Sequence, residues 1–225
     1  MWGLQLSLKR VFLCFWVTLG GSWLPYAGAH TVLVTLTSPD GTPLDYSAVF
    51  FEPLSFKPKA VSKDLPAVVI SQKKQMFLPA ITMLQTGTRV EFPNLDTVRH
   101  HVYSFSEAKT FDIKLYLGRA PSSELFDQSG VVALGCNIHD TMIAWVVVVD
   151  TPYFALTDKL GNVTVDLPAG DYQLKVWDRR QIDIPNDGQR IAVTQNQSFT
   201  VSTDVLDFDP YTDVTGESVD HIQTP

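Results

Sequence analysis

The sequence predicts an all-β protein. Short runs of alternating apolar and polar residues recur along it, and turns containing Gly or Pro separate them at roughly 8–12-residue spacing. No stretch carries the apolar period of a helix. With 225 residues, 45% hydrophobic and 18% charged, the chain is long and apolar enough for one large or two small cores.

The elements follow in chain order. Lys9 and Arg10 precede an apolar stretch over 11–24, and Ala27-Gly28-Ala29 follows it. This is the pattern of a cleavable signal peptide, residues 1–29, with cleavage expected after Ala29 and a periplasmic or secreted location. Val32, Val34 and Leu36 alternate with Leu33 and Thr35, and Pro39-Asp40-Gly41 turns the chain. A second strand pattern runs into His100 and His101. The run Ile143–Val149, IAWVVVV, is apolar without a break and reads as a central strand covered on both faces. Val163, Val165 and Leu167 alternate with polar residues, Pro168-Ala169-Gly170 turns the chain, and Tyr172, Leu174 and Val176 alternate again. Residues 206–225 hold five acids and no Lys or Arg, and are expected to form a mobile acidic tail.

Charge narrows the function. The chain has 17 basic and 24 acidic residues, a net charge of −7. Removing Lys9 and Arg10 with the signal leaves 15 basic residues against 24 acids, or −9. A nucleic-acid partner needs the opposite sign to displace counterions. Beyond the N-terminal segment no apolar run is long enough to span a bilayer, so no membrane association is expected after cleavage. Loss of the signal also removes Cys14, leaving Cys136 as the single thiol of an exported chain that can form no internal disulfide.

Cys136 lies in a concentrated group. Between two apolar runs stand Cys136, His139 and Met142, spaced C-x2-H-x2-M, while His100 and His101 arrive from another strand. A thiolate, two imidazoles and a weak thioether describe a type 1 copper site, because sulfur suits Cu(I) and imidazole suits Cu(II). Structural zinc would call for four Cys or His ligands, and hydrolytic zinc has no use for the thioether. Singly, each residue has a plainer reading as a core thiol, a packed Met or a hydrogen-bonded strand His. A Cys136–His139 nucleophile pair is a further alternative. Copper ligation through the amine and ring of a newly terminal His30 is another, but no second His is evident to complete that brace.

Residues 66–152 resemble the cupredoxins. The segment 75–96 is similar to their opening strands, HHV at 100–102 resembles the His-Asn-Val around the first metal-binding His, and C-x2-H-x2-M matches the amicyanin spacing. The resemblance implies a Greek-key barrel holding one type 1 copper per chain. It places the ligands at His100, Cys136, His139 and Met142, with His101 where an Asn usually braces the Cys-bearing loop. Strand parity conflicts with this, since it groups His101 with Tyr103 and Phe105 on the more apolar face, which would turn His101 inward. His100 is chosen as ligand, with a bulge near Asp96 to Arg99 resetting the parity.

The flanks resemble a carboxypeptidase-regulatory-like β-sandwich, split into residues 30–58 and 153–205 around the barrel. The whole chain is similar to periplasmic proteins labelled methylamine utilisation proteins. The function these resemblances imply is one-electron transfer to an unidentified redox partner protein. No enzymatic role is expected, because saturated ligation leaves no open position for a substrate. The alternatives are a copper-trafficking module and a metal-free interaction module.

Overall fold

The computed structural model describes residues 28–58 and 67–215. The expected signal peptide, apart from Gly28 and Ala29, and the last ten residues lie outside the described residues. In chain order the strands are β1 (His30–Thr37), β2 (Ala48–Pro53), β3 (Val68–Val69), β4 (Ser71–Lys73), β5 (Met76–Leu78) and β6 (Ile81–Gln85). There follow β7 (Thr88–Glu91), β8 (His100–Ser106), β9 (Lys109–Tyr116), β10 (Glu124–Phe126), β11 (Gly130–Gly135) and β12 (Ile143–Val149). The described residues finish with β13 (Phe154–Leu156), β14 (Asn162–Leu167), β15 (Gly170–Trp177), β16 (Gln189–Val193), β17 (Gln197–Ser202) and the helix α1 (Pro210–Thr215).

Two sheets come from the ends of the chain, in the orders β14-β1-β17 and β13-β2-β15-β16. Their inner faces share one core, in which Val32, Val34 and Leu36 of β1 meet Val163 and Val165 of β14 and Tyr172 and Leu174 of β15. The period of two seen in the sequence is the cause, since alternate side chains point to opposite faces. Phe56, Tyr153 and Phe51 set their rings edge-on to Tyr172, an arrangement that the ring quadrupoles favour.

The middle of the chain forms a five-stranded sheet, β6-β12-β11-β8-β9, a three-stranded sheet, β10-β7-β3, and the hairpin β4-β5. Their common core includes Phe77, Phe92, Val102, Phe111 and Phe126, and it takes in Cys136 and Met142. Strand β12 is apolar throughout because it serves two cores. Ala144, Val146 and Val148 enter the core of the five-stranded sheet. Trp145, Val147 and Val149 face the other way, into a seam with Ala48, Phe50, Trp177 and Tyr211.

The C-terminal segment corrects the expectation of a mobile acidic tail over its first part. Tyr211 is buried in the seam, its ring 6.2 Å from that of Trp145. Asp209 takes three hydrogen bonds from Arg179, whose guanidinium also reaches the backbone and carboxylate of Asp45. Asp209 also caps α1 by accepting from the Tyr211 amide at 3.0 Å, with Pro210 at the first helical position. A helix of six residues is too short to leave a readable period.

Candidate metal centre

Strand β11 ends at Gly135 and delivers Cys136 to the barrel core, where it is almost wholly buried and unpaired. The chain then turns back to β12 through a tight loop, closed by the Met142 amide donating to the His139 carbonyl at 2.9 Å. That turn returns Met142 to the same core as Cys136 and leaves His139 between them at the half-buried rim. His100, at the start of β8, is fully buried. One ligand atom each from His100, Cys136 and His139 can be chosen so that all lie within 4.8 Å of one another. His100 Nδ1 stands 3.2 Å from His139 Nδ1, and Cys136 Sγ stands 3.8 Å from the same nitrogen. Donors bonded to one metal at about 2.0–2.3 Å in a tetrahedral or trigonal set lie roughly 3.3–3.8 Å apart, and both of these distances lie close to that range.

Asp96 decides how His100 presents itself. Its carboxylate lies 2.8 Å from His100 Nε2 and accepts from the backbone amides of Lys74 and Gln75 at 2.6 and 2.9 Å. Partial burial works to raise the Asp96 pKa, but the hydrogen bonds from Gln75, His100 and Lys74 outweigh it and hold the carboxyl below its ordinary range. An ionised carboxylate only accepts, so His100 Nε2 is the donor to Asp96, and Nδ1 is the ring atom that faces His139. Asn94 shapes the loop that places Asp96, donating from its side chain to the Val98 and Tyr116 carbonyls and accepting from the Asp96 amide.

Tyr116 lies opposite His100 in the β8–β9 ladder. Its hydroxyl donates to the Phe92 carbonyl and accepts from Gln72. Burial pushes the phenol up to about 12, with the Gln72 hydrogen bond opposing the shift and the nearby Cys136 charge adding to it.

His101 stands outside this group. Its Nε2 is engaged with Asp112, and its ring lies 5.5 Å from Tyr103, which in turn lies 5.2 Å from Phe105. Along these three the exposure rises, from buried His101 through half-buried Tyr103 to Phe105 at 78%. The inward face of β8 is instead His100, Val102 and Ser104, all fully buried. The expectation that the more aromatic face turns inward is therefore reversed. The ladder irregularity lies between His100 and Val102, with the extra residue on β9, so the parity of β8 continues through it unchanged. At position 101, where an Asn usually braces the Cys-bearing loop, His101 pairs with Asp112 instead, while Asp96 braces His100. Nothing local in the sequence pointed to Asp96, Gln72 or Tyr116 as partners of His100.

No protein-family model matches the chain, and no curated protein matches it. Among solved structures it is similar to a copper-containing nitrite reductase from Thermus scotoductus, at 21% identity over 44% of this chain and 25% of that one, with a TM-score of 0.36. It is also similar to a reduced amicyanin variant, at 18% identity over 45% of this chain and 98% of that one, TM-score 0.35. A purple cupredoxin from Nitrosopumilus maritimus matches at 20% identity over 36% of this chain and 99% of that one, TM-score 0.32. The chain thus spans about a quarter of the reductase. Likenesses this distant leave the function to be argued from the chain's own residues.

Proposed function

We propose that this protein is a cupredoxin-like copper protein that carries single electrons outside the cytoplasm. The carrying observation is the convergence of His100 Nδ1, His139 Nδ1 and Cys136 Sγ on one point, with Asp96 engaging His100 through Nε2 and Nδ1 facing His139. His100, Cys136 and His139 would hold the metal, with the thioether of Met142, buried in the same core as Cys136, as a further weak donor. Copper bound there supplies reversible one-electron chemistry, cycling between Cu(II) and Cu(I). The chain's own residues keep the donors dry and fixed. Cys136 and Met142 are packed into the apolar core, and His100 is clamped from behind.

His139 is the ligand nearest solvent. Exposed Leu95, Val98 and Ile138 lie on the loops bearing Asp96, His100 and His139, and we place a redox partner protein on that apolar rim. Export through the N-terminal segment, and a division into a β-sandwich module from 30–58 and 153–205 and a copper module from 66–152, belong to the same reading. An intact mass beginning at His30 would support export, and a mass retaining residues 1–29 would count against a free carrier.

The deciding experiment is an absorption and EPR spectrum of the copper-loaded, oxidised protein. One copper per chain is expected, with a visible thiolate-to-copper band that disappears in Cys136→Ser. A full band in that variant overturns the ligand assignment. The second reading, copper storage or hand-over, uses the same buried thiolate, and a slow electron self-exchange rate would favour it.

A further inference from the structure

Lys74 and Gln75 join β4 to β5 in a two-residue turn in which both adopt left-handed backbone, with φ of 54° and 58°. Such a turn is normally the place for Asn-Gly, because side chains at positive φ crowd the backbone. The strain is matched by a contact. The two amides that the turn exposes converge on the two oxygens of Asp96, the carboxylate that holds His100.

The same hairpin makes a second approach to His100. Gln72 in β4 is fully buried and is tied through its backbone to Pro93 and Leu95. Its side-chain amide donates to the Phe92 carbonyl and to the hydroxyl of Tyr116, the cross-strand neighbour of His100. Its Oε1 has no hydrogen-bond partner. A buried amide left half satisfied is unfavourable for stability alone, so its place here calls for another role.

We infer that the β4–β5 hairpin is the positioning element of the metal centre, holding the His100 ring through Asp96 on one side and Gln72–Tyr116 on the other. This rests on the metal reading above. A cation on Nδ1 polarises the His100 Nε2–H and strengthens its bond to Asp96, and Asp96 shares its charge with the turn amides. Metal occupancy and hairpin order are then coupled, and the coupling is reciprocal: the factor by which metal steadies the hairpin is the factor by which the hairpin tightens the metal.

Amide hydrogen exchange on the full chain, without metal and loaded with diamagnetic Cu(I), tests this. The Lys74 and Gln75 amides should exchange several-fold more slowly in the loaded protein, and Asp96→Asn should abolish the difference. Gln72→Leu should keep the melting temperature of the metal-free protein, because Phe92 retains the Tyr116 hydroxyl as donor. It should also shift the visible band and release Cu(I) to a chelator several-fold faster. If Gln72→Leu does not fold, Gln72→Met serves in its place. A loaded protein with a normal thiolate band but unchanged exchange at Lys74 and Gln75 overturns the positioning role and leaves the metal reading standing. So does a Gln72→Leu protein with unaltered band and release. A chain that takes up no copper overturns both.

Discussion

Of the two adjacent histidines, His100 is the one that clusters with Cys136 and His139 among the described residues. His100 lies with Val102 and Ser104 on the fully buried face of β8, while His101, also buried, is engaged with Asp112. His100→Gly is therefore expected to leave a copper site that exogenous imidazole fills, restoring the visible band. His101→Asn should leave a near-normal spectrum, since its Asp112 partner is half exposed and keeps Lys114. Imidazole rescue of a His101→Gly protein instead would reverse the assignment. Asp96→Asn should weaken Cu(I) affinity by roughly 10- to 100-fold, as loss of an outer hydrogen bond to a metal-bound His commonly does. Competition against a chelator measures it, and unchanged affinity would remove Asp96 from the centre. The thiol, imidazole and thioether loop was legible in the sequence because its residues are contiguous. Asp96 was not, because its role arises only when a hairpin more than twenty residues upstream folds against it.

Among the elements, β12 and β1 make contrasting cases. Both faces of β12 are buried, so Val146→Ala and Val147→Ala should each cost roughly 2 kcal/mol, in keeping with truncation of packed side chains. On β1 the same kind of change is one-sided. Val34→Ala should be costly, while Leu33→Thr, at a 40% exposed position, should stay within about 0.5 kcal/mol of wild type. Urea denaturation of the metal-free protein would show this, and a tolerant Val147 would mean that the seam is loosely packed. These strands were readable because a period of two, or an unbroken apolar run, reports directly on which faces are covered. The β4–β5 hairpin left no such mark, since Lys74 and Gln75 are not turn-forming residues, and the Asp96 carboxylate that their amides meet lies more than twenty residues away.

At the scale of the whole molecule, the seam between the two halves is held by buried charge as well as by Trp145, Trp177 and Tyr211. Asp178 is fully buried, with hydrogen bonds from Arg180 and Ser47, and Asp209 is bound by Arg179. Burial works to raise both carboxyls, but these bonds, led by Arg180 for Asp178 and Arg179 for Asp209, hold both below their ordinary value of 3.8. Groups lowered in this way add stability above the ordinary value and lose it as pH falls through their lowered ones. Thermal stability should accordingly change little through these groups down to about pH 5 and fall steeply below pH 3.8, less steeply in Asp209→Asn. Arg179→Ala, which strands Asp209 and Asp45, should cost about 3 kcal/mol. A fully stable variant would show that the C-terminal segment is not anchored there. No local pattern in an acidic terminal stretch could have revealed this docking, which depends on a cavity assembled from distant strands.

The pairing of the first and last strands has a consequence for biosynthesis. In β1, Val32 meets Val165 and Val34 meets Phe199, while Phe51 of β2 meets Leu174. The earliest strands to leave the ribosome are thus among the last to find their neighbours, whereas β6 to β12 can close on themselves as they emerge. Until the final third of the chain is made, Val32, Val34, Leu36 and Phe51 have no native surface to cover them, and unpaired apolar strand edges invite aggregation. A chain arranged in this way depends on protection during synthesis. Truncation before β14 should leave a product that a holdase chaperone captures or a protease removes.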